Sequence, residues 1–199
     1  MTPADKINSK EYCEECGREI CRAYESVKLT ETDGSSSRLL CIECYNREMA
    51  DYAGIDFQHP QFSSVELADT EGNKHLFYFV TRLLGAEVSL ESYEEDADPG
   101  YRFRVHGEAG DVQKLYRKLL GKMRRALTWQ HIVEEEGSLS VADDLTVRGR
   151  FEWDDETDGE LPLLVIDGKA ITWDEFGRIL MTFEGWQFKI EIYDQSEER

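Results

Sequence analysis

The sequence predicts an α+β fold, in which a short cysteine-rich module precedes a larger, mainly antiparallel sheet domain covered by two amphipathic helices. Three observations support this prediction. All five cysteines lie within the first 44 of the 199 residues. The remaining chain alternates short runs of period two, typical of strands, with two runs of helical period. The connections between the strand-like runs are short, which indicates antiparallel pairing.

The composition restricts the class of protein. With 40% hydrophobic and 33% charged residues the chain is expected to be globular. The net charge of −19 argues against a nucleic-acid partner, because phosphate-binding chains usually carry an excess of Lys and Arg. No run approaches the roughly 18 apolar residues of a membrane helix, and the N-terminus lacks the apolar centre of a secretory signal. We therefore expect a cytoplasmic location and no membrane partner.

The cysteines occur as two pairs, "CEEC" at 13–16 and "CIEC" at 41–44. Two residues between paired cysteines let both thiolates reach one ion, and four thiolates satisfy the tetrahedral preference of zinc. The sequence therefore predicts one structural zinc per chain, held by Cys13, Cys16, Cys41 and Cys44, with Cys21 as a less favoured substitute. Four cysteines close the coordination sphere and leave no position for a catalytic water.

Two other interpretations of the cysteines stay open. A disulfide framework is disfavoured by a reducing cytoplasm and by the odd number of thiols. A thioredoxin-like redox pair is expected between a strand and a helix in a βαβ setting, and the first pair lacks that setting.

The segment around the cysteines has the pattern of a known zinc-binding unit. Gly17 permits the positive φ that a metal knuckle needs, and residues 23–40 read as two short strands joined by a Gly/Ser turn. The second pair opens a helix with apolar positions at Tyr45, Met49 and Tyr52. This order resembles a treble-clef zinc finger. We expect a tail at 1–9, the finger module at 10–53 and a linker at 54–61.

The domain predicted at 62–194 begins with four strands and a helix. "SSVELAD" and "KHLFYFVT" form a predicted hairpin, and "AEVSLESY" and "YRFRVH" are the next two strands. The last of these alternates apolar residues with Arg102, Arg104 and His106. From 111 to 131 the period becomes helical, with Leu115, Leu119, Met123 and Leu127 on one stripe.

This predicted helix is the one densely basic element of the chain. Its cations are Lys114, Arg117, Lys118, Lys122, Arg124 and Arg125. They form either a solvated helix face or a docking surface for an acidic partner or a nucleic-acid backbone.

The last third, 138–194, is a possible second subunit of this domain beside 62–131, and 195–199 is a tail. "LTVRGRFEW" predicts a strand with Leu145, Val147, Phe151 and Trp153 inward and Arg148, Arg150 and Glu152 opposite. Asp167-Gly168 predicts a type I′ hairpin. Thr172 and Glu175 predict a capping box ahead of a helix from Trp173, which Gly185 can terminate. A final strand at 186–194 is expected to point Phe188, Ile190 and Ile192 inward.

Motifs for catalysis are missing from the sequence. It contains no GxSxG, GxxxxGK[ST], GxGxxG or HExxH pattern. If the polar faces of the two arginine-bearing strands adjoin, they would form an anion pocket lined by Arg102, Arg104, His106, Arg148 and Arg150.

The stretches "CIECYNR", "RGRFEWDD" and "LPLLVIDGKAITWDEFGRILMTFEGWQFKIEIYD" together resemble a family of uncharacterised bacterial proteins that join an N-terminal CxxC…CxxC finger to an α+β domain of unknown function. The resemblance implies a bacterial cytoplasmic setting and zinc on the four paired cysteines, and it implies no activity.

We expect a non-enzymatic protein-binding, adaptor or regulatory protein in which zinc organises the finger. One alternative is a small-ligand binder or enzyme that acts through the Arg and His strand faces. The other is nucleic-acid binding through the finger and the basic helix.

Overall fold

The computed structural model describes residues 11–30, 36–135 and 137–197. Within these ranges the chain is α+β, with three α-helices and thirteen short strands that all pair antiparallel. No helix in the described ranges is long and apolar enough to cross a membrane.

The N-terminal module consists of two hairpins and a helix. Strands β1 (Glu11–Tyr12) and β2 (Glu19–Ile20) form the first hairpin. A 3₁₀ turn (Ala23–Glu25) leads to the second, β3 (Ser26–Thr30) with β4 (Ser37–Cys41). Helix α1 (Ile42–Ala53) follows directly and ends at Gly54, whose φ of 66° suits a glycine. The predicted strand pairing and helix of this segment are therefore confirmed, while most of the predicted Gly/Ser turn, like the predicted tail at 1–9, lies outside the described residues.

The central sheet has four strands in sequential order. They are β5 (Val65–Ala68), β6 (Lys74–Leu84), β7 (Glu87–Glu94) and β8 (Arg102–Glu108), followed by helix α2 (Val112–Ala126). Leu115, Leu119 and Met123 of α2 pack on one face of this sheet, against a core that includes Phe77, Leu83, Val88, Leu90 and Val105. The apolar faces of the strands thus pack against the apolar stripe of the helix, as predicted.

The N-terminal module covers part of the opposite sheet face. Ile42, Tyr24 and Val27 pack against Tyr78, Val80 and Tyr93. The ring of Tyr24 stacks on both sheet tyrosines, with centroids 4.8 Å from Tyr78 and 4.5 Å from Tyr93. The sheet is therefore enclosed between α2 and the cysteine-rich module.

Helix α1 also lies along an open edge of β6. Strand β5 pairs only with residues 74–77, so the rest of this edge has no partner strand in the described part of the chain. The side chain of Asn46 makes the hydrogen bonds that a neighbouring strand would otherwise make. Its amide donates to the Thr81 carbonyl at 2.7 Å and accepts from the Leu83 N–H at 2.8 Å. Tyr45 Oη donates to the Leu83 carbonyl at 3.3 Å, whereas Tyr52 is exposed.

The C-terminal third contains two small sheets and one helix. Its elements are β9 (Ile132–Glu135), β10 (Ser138–Val141), β11 (Gly149–Trp153), β12 (Pro162–Ile166), β13 (Lys169–Ile171), α3 (Trp173–Leu180) and a 3₁₀ turn (Met181–Phe183). Asp167 and Gly168 have φ of 51° and 74°, as a type I′ turn requires. Thr172 and Glu175 form the predicted capping box.

The orientation predicted for β11 is wrong. Phe151 and Trp153 are exposed, while Arg150 and Glu152 face inward. Arg150 donates to Glu152 at 2.7 Å and to the Pro99 carbonyl at 3.0 Å, and Glu152 also lies 3.6 Å from Arg102. Strand β11 therefore presents its charged face to the central domain, because the groups that pair with these charges lie there.

The predicted final strand is also wrong. Residues 186–194 lie outside every helix and strand, and Phe188, Ile190 and Ile192 are exposed. An alternating pattern becomes a strand only beside a partner edge, and none in the described chain pairs with it. The α-helix before it is shorter than expected, with eight residues, and it packs on β10 and β12 instead of covering the central sheet.

Candidate metal centre

The four paired cysteines converge at the junction of the two hairpins and α1. Cys13 and Cys16 lie on the loop between β1 and β2, which is closed by a 2.8 Å bond from Gly17 N to Cys13 O. Gly17 has a φ of 72°, which a side chain would disfavour. Cys41 ends β4 and precedes α1, and Cys44 lies in the first turn of that helix. Each pair therefore comes from a turn that brings two thiols together.

The sulfur positions fit one metal ion. All four Sγ atoms lie within 4.8 Å of one another, and Cys16 and Cys41 are 3.8 Å apart. A disulfide would need about 2.05 Å, so the cysteines are free thiols. Four sulfurs placed about 2.3 Å from a central ion would be about 3.8 Å apart, as in a tetrahedral zinc site. The donor set therefore matches a closed four-thiolate centre.

The surroundings already favour one thiolate. Burial by itself would raise the pKa of Cys13, but backbone N–H groups of Cys41, Cys16 and Glu15 lower it to about 6. Burial and the neighbouring thiols raise the pKa of Cys44 and Cys41. Without a cation, four clustered thiols cannot all ionise, because each thiolate opposes the next. A divalent ion would remove this conflict.

The loop of the first pair is fastened to the second hairpin. Glu14 N donates to the Leu39 carbonyl at 2.9 Å, and Leu39 N donates to the Glu14 carboxylate at 2.8 Å. Arg18 bridges to Glu43 of α1 at 2.9 Å. These bonds connect the loop that carries the first cysteine pair to the strand and helix that carry the second pair. Cys21 is exposed and lies outside the four-sulfur group.

A cleft of about 240 Å³ opens beside Cys41, between the module and the sheet. His59 lines it, and burial lowers the pKa of this histidine. Its neutral ring can accept the bond from Asn46 Nδ2, 2.7 Å away. The polar groups at this end of the cleft thus help to hold α1 in place.

The residues predicted to form an anion pocket are only partly brought together. Arg102 and Arg150 share Glu152, whereas Arg104 lies 3.3 Å from Glu91, one strand away. The His106 ring lies 3.4 Å from Ser89 Oγ. Arg148 is exposed and lies just before β11. The cationic face is therefore largely balanced by the chain's own carboxylates.

Glu91 is the centre of this charge network, and sequence analysis missed it. It is buried, accepts from Arg82 at 2.9 Å and from Ser89 at 3.0 Å, and bonds to the Tyr93 hydroxyl. The only sequence signal for a buried charge here was a glutamate within a strand of alternating pattern. Asn46 was missed in the same way, since an asparagine within a helix shows nothing of its tertiary partners.

Five of the six predicted basic-surface residues are exposed on α2, namely Lys114, Arg117, Lys118, Arg124 and Arg125. Lys122 is half-buried and donates to the carbonyls of Arg104, Gln195 and Glu197. It therefore holds the chain's own C-terminal segment instead of facing a partner.

Three family models match successive parts of the chain. Residues 12–56 match Domain of unknown function (DUF7685), residues 58–128 match Domain of unknown function (DUF7686), and residues 130–197 match Domain of unknown function (DUF7713). No curated protein and no solved structure matches the chain. The chain is thus similar along most of its length to three consecutive domains of unknown function, the first of which contains all four clustered cysteines.

Proposed function

We propose that the chain binds one structural zinc ion through Cys13, Cys16, Cys41 and Cys44, in a module of treble-clef type. The observation that carries this proposal is the convergence of the four Sγ atoms within 4.8 Å. Two further features support it: the knuckle–hairpin–helix order, and a helix N-terminus that places its partial positive charge beside Cys44. Zinc would join the two hairpins and α1, which together are too small to form a large apolar core.

Native mass spectrometry, with metal quantified on the same sample, tests this proposal. Protein purified without added metal is expected to carry one tightly held zinc per chain. Cys41→Ser should lose it, while the matched variant Cys21→Ser should keep it, because Cys21 lies outside the cluster. A folded wild-type chain that holds no metal would refute the proposal and direct attention to thiol redox chemistry.

We further propose that the protein is a non-enzymatic binding or adaptor protein of the bacterial cytoplasm, where thiols stay reduced. A closed four-thiolate site supplies no open position for substrate. The five exposed cations of α2 stand out on a chain of net charge −19, and they suit an acidic segment of a partner protein.

A labelled poly-glutamate peptide and a single-stranded DNA of equal charge serve as probes for this surface. The peptide is expected to bind the wild type and to lose affinity with Arg117→Glu/Lys118→Glu/Arg124→Glu. A matched triple variant at exposed lysines elsewhere, Lys28→Glu/Lys74→Glu/Lys169→Glu, should bind nearly as well as wild type. Preferential DNA binding with a steep salt dependence would instead favour nucleic-acid recognition.

A second candidate is binding of a small anion at the strand face of β8. The Nε atoms of Arg102 and Arg104 are buried without an acceptor among the described residues. Isothermal titration with inorganic phosphate tests this candidate, with Arg104→Gln as the variant. Binding that is unchanged in this variant would place any anion site elsewhere.

A further inference from the structure

Residues 186–193 form an exposed segment with the alternation of a strand. Trp186, Phe188, Ile190 and Ile192 are 65%, 87%, 67% and 77% exposed. Gln187, Lys189, Glu191 and Tyr193 alternate with them. Four large apolar side chains in one short stretch are more than the scattered exposed residues of an ordinary monomer surface.

Much of the main chain of this segment is also available for hydrogen bonding. No backbone hydrogen bond joins 187–190, Ile192 or Tyr193 to another residue that the structure describes. Both ends are held: the ring of Trp186 packs edge-on against Phe183 at 5.6 Å, and Gln195 Nε2 donates to the Arg102 carbonyl at 2.9 Å. Between these anchors, the backbone donors and acceptors of residues 187–190, Ile192 and Tyr193 can serve a second strand.

The sequence of the segment is complementary to itself. Lys189 and Glu191 lie 2.6 Å apart within one chain. When two copies are placed antiparallel with Ile190 opposite Ile190, Lys189 of each copy also faces Glu191 of the other. In the same register Phe188 faces Ile192, and Gln187 faces Tyr193. Directly opposed residues of antiparallel strands share a face, so the apolar contacts fall on one side and the charge pairs on the other. A shift of the register by one residue would place apolar side chains opposite charged ones.

We propose that residues 186–193 are a homodimerisation strand that pairs antiparallel with the same segment of a second copy, about a two-fold axis through Ile190. Such a contact is isologous, so every side-chain pair away from the axis occurs twice. The interface is small, and the dimer is therefore weak and concentration-dependent.

The open edge of β8 in the same chain is a poorer partner. The bonds from Glu94 N to Tyr101 O and from Ala109 N to Ala86 O show that the backbone groups of odd-numbered residues face β7. The backbone N–H and C=O groups of the even-numbered residues of β8 therefore face its open edge. Lys122 already donates to the outward carbonyl of Arg104, and Gln195 donates to that of Arg102. A fifth strand from this chain would have to displace both bonds, whereas pairing with a second copy leaves them in place.

Sedimentation velocity over a range of protein concentrations, combined with charge reversal, tests the proposal. Lys189→Glu places like charges opposite each other twice, and so does Glu191→Lys; each is expected to weaken the dimer by about tenfold or more. The double variant Lys189→Glu/Glu191→Lys restores both pairs and should recover the wild-type dissociation constant. Lys74→Glu, another exposed lysine beside a glutamate, should leave it unchanged.

Ile190→Asp gives an independent check at the axis. It should abolish the dimer without lowering the melting temperature of the monomer, because the side chain is exposed in the single chain. A wild type that stays monomeric at every concentration would overturn the proposal. So would a dimer that tolerates both single reversals, or a double variant that fails to recover, which would indicate another surface or pairing with β8.

Discussion

The side-chain amide of Asn46 donates to the Thr81 carbonyl at 2.7 Å and so occupies a position on the edge of β6 that a neighbouring strand would normally fill. The same amide accepts the Leu83 N–H, and Asn46 is fully buried. Because Asn46 is two residues from Cys44, the candidate metal centre and the central sheet are connected by less than one helical turn.

We expect Asn46→Leu to destabilise the protein by about 2–4 kcal/mol, because it leaves a buried carbonyl and a buried N–H without partners. Urea unfolding at constant zinc concentration measures this. Gln113→Leu, at an exposed amide on α2, is the matched control and should change stability little. A loss below about 0.5 kcal/mol for Asn46→Leu would show that water replaces the amide at this edge.

Metal removal is expected to loosen the edge of β6. If zinc fixes the start of α1, its loss should let Asn46 withdraw and expose the Leu83 amide. Hydrogen exchange at Leu83 should then accelerate by about tenfold or more, which corresponds to about 1.4 kcal/mol. The Leu90 amide, in the sheet interior, serves as the internal reference. Equal acceleration at both sites would mean global unfolding and would contradict a local coupling.

Glu91→Gln should destabilise the chain by about 3 kcal/mol, since it leaves Arg82 and Arg104 beside a neutral group in a buried position. Burial opposes ionisation of Glu91, but Arg82 and the other donors keep the pKa of this carboxyl below its usual value. Its stabilising effect is therefore present above the unfolded pKa and is lost as pH falls through the folded pKa. Glu87→Gln, at the exposed start of the same strand, is the control for chemical unfolding measurements.

His75 should contribute a pH-dependent part of the stability. Burial by itself lowers its pKa, but Glu94 at 2.6 Å and Asp69 at 3.2 Å raise it above the ordinary 6.5. A raised folded pKa gives stability that is complete below about pH 6.5 and is lost as pH rises through the folded pKa. Asp69, whose pKa is lowered to about 2, stays ionised throughout that range.

Comparison of the wild type with His75→Gln between pH 6 and 9 measures this contribution. The stability difference should be largest at the acidic end and shrink toward pH 9. Both proteins carry the same four cysteines, so any pH dependence of metal ligation cancels in this difference. The ring-proton titration of His75 by NMR gives its pKa directly. A midpoint below 6.5, or a stability difference independent of pH, would contradict the expected ion pairs.

The sequence by itself determined features that depend on neighbours along the chain. The Asp167-Gly168 turn, the Thr172 capping box and the stripe of Leu115, Leu119 and Met123 follow from local geometry and period, and the structure has all three. The convergence of the four cysteines was also predictable, because each CxxC pair is held by a short turn and only one long-range contact remains to be made.

Tertiary structure decided what depends on distant partners. The inward face of β11 followed from where Arg102 and Pro99 lie, not from which residues are apolar. Residues 186–193 have the alternating pattern of a strand but pair with no strand in the described part of the chain, because pairing needs a free strand edge and the periodicity of a sequence does not specify one. Asn46 and Glu91 acquire their roles from residues 35 and 9 positions away, Thr81 and Arg82. A polar side chain becomes indispensable only when folding removes water from the groups it must satisfy.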